Sequence, residues 1–208
     1  MNPAFSVIFF TVSSGTGYGL IAWLGFLVFL DVLPINKGHG ILIIGISLIL
    51  ISSGLLSSTV HLGHPERAWR AFSQLRSSWL SREGVVAIIT FFPIVVFAWY
   101  WFVPDESGFT IKLLGLVVAI LSMLTVYCTA MIYKSLRTIH QWHNGWTVPN
   151  YLLLAAAGGA VWLYSISSSF IYIPFTWKLG VLIVILFSWF LKSRYWKFID
   201  FAVSSSTP

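Results

Sequence analysis

Long apolar runs alternate with short polar segments along the chain, and this pattern predicts membrane-spanning helices. A helix needs about 20 mainly apolar residues to cross the hydrocarbon core of a bilayer. Pro149 precedes the fifth such run, and proline is tolerated in the first turn of a helix because its missing N–H is not needed there. The predicted fold is all-α, a polytopic membrane helix bundle forming a single domain over residues 1–208. Its six transmembrane helices are predicted at about residues 5–33, 40–61, 84–102, 110–133, 150–172 and 177–199.

The segment between the second and third predicted spans has its own periodicity. Pro65 can start a helix, and the aromatic residues Trp69, Phe72 and Trp79 follow at intervals that place them largely on one helical face. This predicts a short interfacial helix near 65–80, with its aromatic face towards the bilayer and its arginines towards water. A plain connector whose arginines extend to the lipid headgroups explains the same pattern, and both interpretations stay open.

Charge is scarce and unevenly distributed. Only 9% of the residues are charged, against about 25% in soluble domains. Six spans put both termini and the loops at 62–83 and 134–148 on one side of the membrane. The positive-inside rule places that side in the cytoplasm. A basic surface that binds a partner would give the same bias, whereas the net charge of +6 is ordinary for membrane edges and does not predict nucleic-acid binding. The three Lys on the other side are Lys37, Lys112 and Lys178, and the nine cations on the first side are Arg67, Arg70, Arg76, Arg82, Lys134, Arg137, Lys192, Arg194 and Lys197.

A histidine and a carboxylate flank the connector at the membrane edge. His61 ends the second predicted span and Glu83 precedes the third. A quinone head group reaches this depth from the lipid, and its redox reaction moves two protons with two electrons, which an imidazole and a carboxylate can relay. The alternative is structural: His61 bonded to a loop carbonyl, and Glu83 capping the third helix or pairing with Arg82.

Two His-x-x-His pairs predict a competing site. His61 with His64, and His140 with His143, lie on the same predicted side and are suitable ligands for a metal or haem. Gly63 and Pro65 argue against a continuous helix through the first pair, and no His lies deep within a predicted span. We therefore expect no metal and no haem.

Other residues exclude or leave open further functions. No Asp, Glu, Lys or Arg lies in the middle third of a predicted span, which argues against an ion-driven transporter. The single cysteine, Cys128, excludes internal disulfides and cysteine-ligated clusters within the chain. The small residues of "SSGTGYG" in the first span predict close helix packing. Tyr18 and Tyr127 are interpreted first as packing residues and second as candidates for a quinone pocket.

Three motifs carry a family resemblance. "FTVSSGTGYG", "HLGHPERAWRAFSQLRSSWLSREG" and "MIYKSLRTIHQWHNGWTVPNY" occur in this order between about residues 9 and 160. They resemble the anchor subunit of the dimethyl sulfoxide reductase family, and most closely the anchors of cytoplasm-facing relatives such as membrane-bound sulfite dehydrogenases. Such anchors commonly have about eight spans, whereas six are predicted here.

The resemblance implies a three-part enzyme in the inner membrane of a bacterium or archaeon. A molybdopterin subunit performs the substrate chemistry, a ferredoxin-like iron–sulfur subunit transfers electrons, and the anchor exchanges them with menaquinone or ubiquinone. His61 and Glu83 match the family positions tied to quinol binding, with Arg82, His64, Tyr18 and Tyr127 as further candidates. The residues expected to dock the iron–sulfur subunit are Arg67, Arg70, Arg76, Arg137, His140 and His143. A structural anchor or transporter-like protein without quinone chemistry, or a haem-binding subunit, is the alternative function.

Overall fold

The structure, a computed structural model, describes residues 5–33, 37–60, 69, 72–103 and 108–201. Within these ranges the chain is all-helical and contains no strand. All six helices are long and apolar enough to cross a membrane, which confirms the predicted fold. The helices are α1 (Phe5–Phe29), α2 (Lys37–Val60), α3 (Trp79–Phe102), α4 (Phe109–Lys134), α5 (Thr147–Ser167) and α6 (Phe175–Phe201).

The third helix begins five residues earlier than the apolar pattern predicts. Ser78 is the N-cap of α3, and its hydroxyl accepts a hydrogen bond from the backbone N–H of Ser81 over 3.4 Å. A serine at this position satisfies one of the free N–H groups of the first turn and so fixes where the helix starts. Glu83 therefore lies in the second turn of α3 rather than before it.

The predicted interfacial helix lies partly outside the described residues, which omit 61–68, 70 and 71. Trp69 is 66% exposed, and the ring of Phe72 lies against Gly84. The N–H groups of Ser77 and Ser78 both donate to the carbonyl of Gln74, forming a turn just before α3. The helical form of the rest of the segment stays a prediction.

The first helix is the centre of the bundle. It packs against α2, α4 and α5, whereas α6 packs only against α5 among the described helices. The contact between α5 and α6 includes the Ser188 hydroxyl, which donates to the carbonyl of Leu153 over 3.1 Å. Most of the apolar side chains of α6 are exposed, as expected for a helix at the lipid-facing edge of a membrane bundle.

Glycines let the backbones of the central helices touch, which confirms the predicted small-residue packing. A Cβ added to Gly19 would overlap the carbonyl of Ala155, and a Cβ added to Gly25 would overlap the carbonyl of Gly115. Gly15 differs, because a Cβ added there would lie 3.8 Å from the Cβ of Ala155, an ordinary contact distance. The helices α1 and α5 therefore touch at Gly19 and leave space one turn earlier, at Gly15.

Candidate functional site

One end of the bundle, here called the basic side, is where α3 and α5 begin and α4 and α6 end. Glu83 lies on this side and is buried, with an exposed fraction of 4%. The Thr129 hydroxyl of α4 donates a hydrogen bond of 2.5 Å to Glu83 Oε1. Burying a carboxyl group away from water is costly unless such a hydrogen bond compensates. Glu83 is thus held inside the bundle, facing α4.

Arg82 does not pair with this carboxylate. Its Nε donates to the carbonyl of Leu75 over 2.9 Å and its guanidinium NH2 group to the carbonyl of Arg76 over 2.7 Å. The guanidinium carbon lies 4.1 Å from the centroid of the Trp79 ring, a cation–π contact. Arg82 therefore fixes the preceding turn to the start of α3. Since the helix is capped by Ser78 instead, the structure supports neither of the two structural roles considered for Glu83.

A cavity of about 400 Å³ opens beside Thr129 on the basic side. It lies among α1, α4, α5 and α6, and we call it the polar cavity. Thr129 belongs to its wall, so Glu83 lies directly behind that wall. Gly15 contributes to the wall with no side chain, which leaves the space open. The polar side chains around it are Thr11, Ser14, Thr16, Thr129, Tyr151 and Lys192.

Two of these side chains are held by aromatic neighbours. The Tyr151 ring stacks on the Tyr133 ring of α4, with a centroid distance of 5.4 Å and an interplanar angle of 22°. Lys192 Nζ lies 4.8 Å from the centroid of the Tyr195 ring and 5.7 Å from that of Trp196. Among the described residues that line the cavity, Lys192 is the only charged one. The cavity thus combines a cation and a few hydroxyl groups with an apolar wall, as small-molecule binding sites do.

The two candidate tyrosines differ in position. Tyr18 is 2% exposed, and its hydroxyl lies beside Thr125 and close enough to Glu83 for electrostatic interaction, without forming a well-oriented hydrogen bond. Thr125 is one turn from Thr129 on α4, so Tyr18 lies deeper in the bundle than the polar cavity. Tyr127 packs edge-to-face on Trp79 at a centroid distance of 5.9 Å, and serves as a packing residue.

Four further candidates belong to the connector between α2 and α3. His61, His64, Arg67 and Arg70 lie outside the described residues, and their roles stay predictions.

The described docking candidates lie in the loops of the basic side. Arg76 and Arg137 are exposed, as a docking role requires. His143 Nδ1 lies 2.6 Å from the carbonyl oxygen of Lys134, and His140 stacks on Phe198 at 5.7 Å. Both imidazoles have structural contacts, and the described residues contain no group of three or more His, Cys, Asp or Glu able to hold a metal.

Sequence reasoning missed several residues. Thr129, Tyr151 and Lys192 line the cavity without having been singled out. A signal existed for Thr129, because Ser122, Thr125 and Thr129 recur at helical spacing in the apolar fourth span. Lys192 lies in α6, which runs from Phe175 to Phe201, and faces the cavity from nine residues before the end of that helix.

A buried histidine lies at the opposite end of the bundle. His39 is 0% exposed and lies in the first turn of α2, one residue before the predicted start of the second span. Its Nε2 and the Ser167 hydroxyl form a hydrogen bond of 2.9 Å, and its ring packs on Phe170 at 5.4 Å. His39 therefore joins the start of α2 to the end of α5, at the end of the bundle opposite the polar cavity.

Comparison with known proteins decides the family. The family model for the DMSO reductase anchor subunit (DmsC) matches residues 1–193. The chain belongs to this anchor-subunit family. It is 38% identical to the C subunit of sulfite dehydrogenase from Allochromatium vinosum, over 93% of the present sequence and 64% of the relative. No solved structure matches the sequence.

More distant relatives include the C chains of two anaerobic dimethyl sulfoxide reductases. The Haemophilus influenzae protein is 28% identical over 77% of the present sequence, and the Escherichia coli protein is 27% identical over 58%. The present sequence spans 64%, 57% and 42% of the length of these three relatives. Together, the family and the six apolar helices show a multi-pass membrane protein.

Proposed function

We propose that this protein is the membrane anchor and quinone-reactive subunit of a three-subunit molybdopterin and iron–sulfur oxidoreductase. Membership of the anchor-subunit family supports the anchoring role. The name of the A. vinosum relative supports a sulfur compound such as sulfite as the substrate of the catalytic subunit. The quinone role is supported above all by the buried Glu83, which accepts a hydrogen bond from Thr129 in the wall of the polar cavity.

The cavity offers the contacts that a quinone head group needs. A quinone has two carbonyl oxygens on a flat ring, and Lys192, Tyr151 and the Thr16 hydroxyl can donate hydrogen bonds to them. The Thr129 hydroxyl donates to Glu83 instead. Oxidation of the quinol form releases two electrons and two protons, and reduction takes up the same number. Glu83 would carry one proton between the cavity and water, and His61 the other, as the family resemblance implies.

The electrons must leave or enter through a partner. The proposed partner is an iron–sulfur subunit docked on the basic side, where Arg76 and Arg137 are exposed and Arg67 and Arg70 belong to the same loop as Arg76. The proposed location is the inner membrane. By the positive-inside rule, the basic side and both termini would face the cytoplasm. Because both protons would be exchanged on this side, we expect no proton transfer across the membrane through this subunit.

Substitution of Thr129 tests the proposal. Thr129→Val keeps the side-chain shape but removes the hydroxyl that links Glu83 to the cavity. The matched control is Thr176→Val, which removes a hydroxyl from α6 at the other end of the bundle. We expect Thr129→Val in the assembled complex to raise the quinone KM or lower kcat about tenfold, which is the loss of one hydrogen bond to a charged group.

An artificial electron acceptor or donor for the soluble subunits serves as the assembly control. Its turnover should be the same in the wild type, Thr129→Val and Thr176→Val. If quinone kinetics are unchanged in Thr129→Val, or fall equally in both variants, the protein acts as a structural anchor without quinone chemistry at this cavity.

A further inference from the structure

A second cavity follows the polar cavity along the same three helices. It has a volume of about 480 Å³ and lies between α1, α4 and α5, with Ala22, Trp23, Ala119 and Ala156 in its wall. We call it the apolar groove. The N–H of the Trp23 ring donates to the carbonyl of Ala156 over 2.8 Å, so this polar group of the wall is already satisfied. The groove therefore offers an apolar surface to whatever occupies it.

Three of the four helices that line the polar cavity, α1, α4 and α5, also line the groove. Ala155 of α5 lines the polar cavity and Ala156 lines the groove. On α4, Val126 lines the cavity and Met123, one turn away, lines the groove. The stretch of α1 from Thr11 in the cavity to Phe26 in the groove is about 22 Å long at 1.5 Å per residue. This length covers most of the roughly 30 Å thickness of the hydrocarbon core.

Close packing behind the groove keeps it from collapsing. The backbone contacts at Gly19 with Ala155 and at Gly25 with Gly115 fix the spacing of α1 from α5 and α4. Phe26 and Ile120 line the groove and are exposed on the outer surface of the bundle. The groove thus follows the polar cavity along the same three helices, and its side is open to the surrounding lipid.

We propose that the apolar groove holds the isoprenoid tail of a long-tailed quinone whose head group lies in the polar cavity. This inference rests on the proposed function and adds tail length as a determinant of substrate specificity. A quinone joins a polar ring to one long apolar tail, and the polar cavity and the apolar groove follow each other in that order along α1, α4 and α5. A phospholipid keeps its charged head group at the membrane surface, and a further helix, about 10 Å across, would cover the groove rather than fill it.

The test compares quinones that differ only in tail length. Ala156→Leu adds an isopropyl group beyond the existing Cβ, directed at the groove. Gly180→Leu is the matched control, because it fills the apolar cavity of about 400 Å³ on the α1–α5–α6 side, where an added Cβ meets nothing within 4 Å. Both variants are assayed as the assembled complex in proteoliposomes, with a quinone carrying a single isoprene unit and with its full-length counterpart.

We expect Ala156→Leu to raise the KM for the long-tailed quinone about tenfold, the effect of excess bulk in an apolar pocket, with little change for the short one. Gly180→Leu should change neither. Equal effects of Ala156→Leu on both quinones, or no effect on either, would overturn the tail assignment. The proposed function would stand in either case if Thr129→Val still impairs turnover with the short-tailed quinone.

A photoreactive quinone that carries its label on the tail gives a readout that needs no variant. Saturable labelling of residues 116–123 of α4 is expected. Labelling of residues 177–184 of α6 instead, or labelling that excess unlabelled quinone does not compete, would contradict the assignment.

Discussion

Gly15 and Gly19 lie one turn apart on α1, and their substitution by Ala should have opposite effects on stability. A Cβ at Gly19 would overlap the backbone of Ala155, so α1 and α5 must move apart, at a cost of about 1–3 kcal/mol for an overpacked contact. A Cβ at Gly15 lies 3.8 Å from the Cβ of Ala155. Gly15→Ala should therefore gain up to about 1 kcal/mol of helix propensity, because Ala restricts the unfolded chain.

The assay is thermal unfolding of the purified protein in detergent, followed by helical circular dichroism. We expect the Tm of Gly15→Ala to equal or exceed that of the wild type, and the Tm of Gly19→Ala to fall clearly below it. Gly45→Ala is the control, since a Cβ there meets nothing within 4 Å. An equal loss of Tm in Gly15→Ala and Gly19→Ala would refute the arrangement of α1 and α5 on which the polar cavity depends.

Three further predictions concern charge and polar contacts. Lys192→Met should raise the quinone KM several-fold, while Lys178→Met, at the other end of α6, should leave it unchanged in the same turnover assay. His39→Ala should lower the free energy of unfolding by about 1–3 kcal/mol, because a hydrogen bond and packing are lost. Quinone turnover below the Tm should stay intact. Wild-type stability together with impaired turnover would contradict a structural role for His39. Reversing charge at Arg67 and Arg70 should release the soluble subunits from membranes, and retention equal to that of Lys178→Glu would reject docking there.

The apolar pattern was sufficient to predict the six helices because the bilayer fixes their length. Helix ends were less predictable, since α3 starts at a serine cap rather than at the edge of its apolar run. The glycines of α1 predicted close packing, but the difference between Gly15 and Gly19 depends on where α5 crosses α1. No one-dimensional pattern contains that crossing point.

Of the residues at the candidate site, the sequence singled out Glu83 but not those that line the polar cavity. The sequence contains only six acidic residues, so a glutamate at the edge of an apolar span was conspicuous. Thr129, Tyr151 and Lys192 belong to three other helices, and their convergence on one cavity follows from lateral packing alone. Threonine and tyrosine are common in membrane helices as packing residues, so their role emerges only when the cavity is known. The buried His39 was missed because it lies at the very start of its helix.

The proposed exchange of electrons with quinone at the cavity beside Glu83 depends on proton transfer by this carboxyl group. Glu83→Gln is the sharpest substitution, because the amide oxygen can still accept the hydrogen bond from Thr129 while the side chain can no longer carry a proton. The measurement is quinone-linked turnover of the assembled complex, together with the amount of quinone bound. We expect as much bound quinone as in the wild type and a fall in kcat of about 100-fold or more, as for the loss of a general acid–base group. Wild-type kcat in Glu83→Gln, with the complex fully assembled, would contradict this role of Glu83.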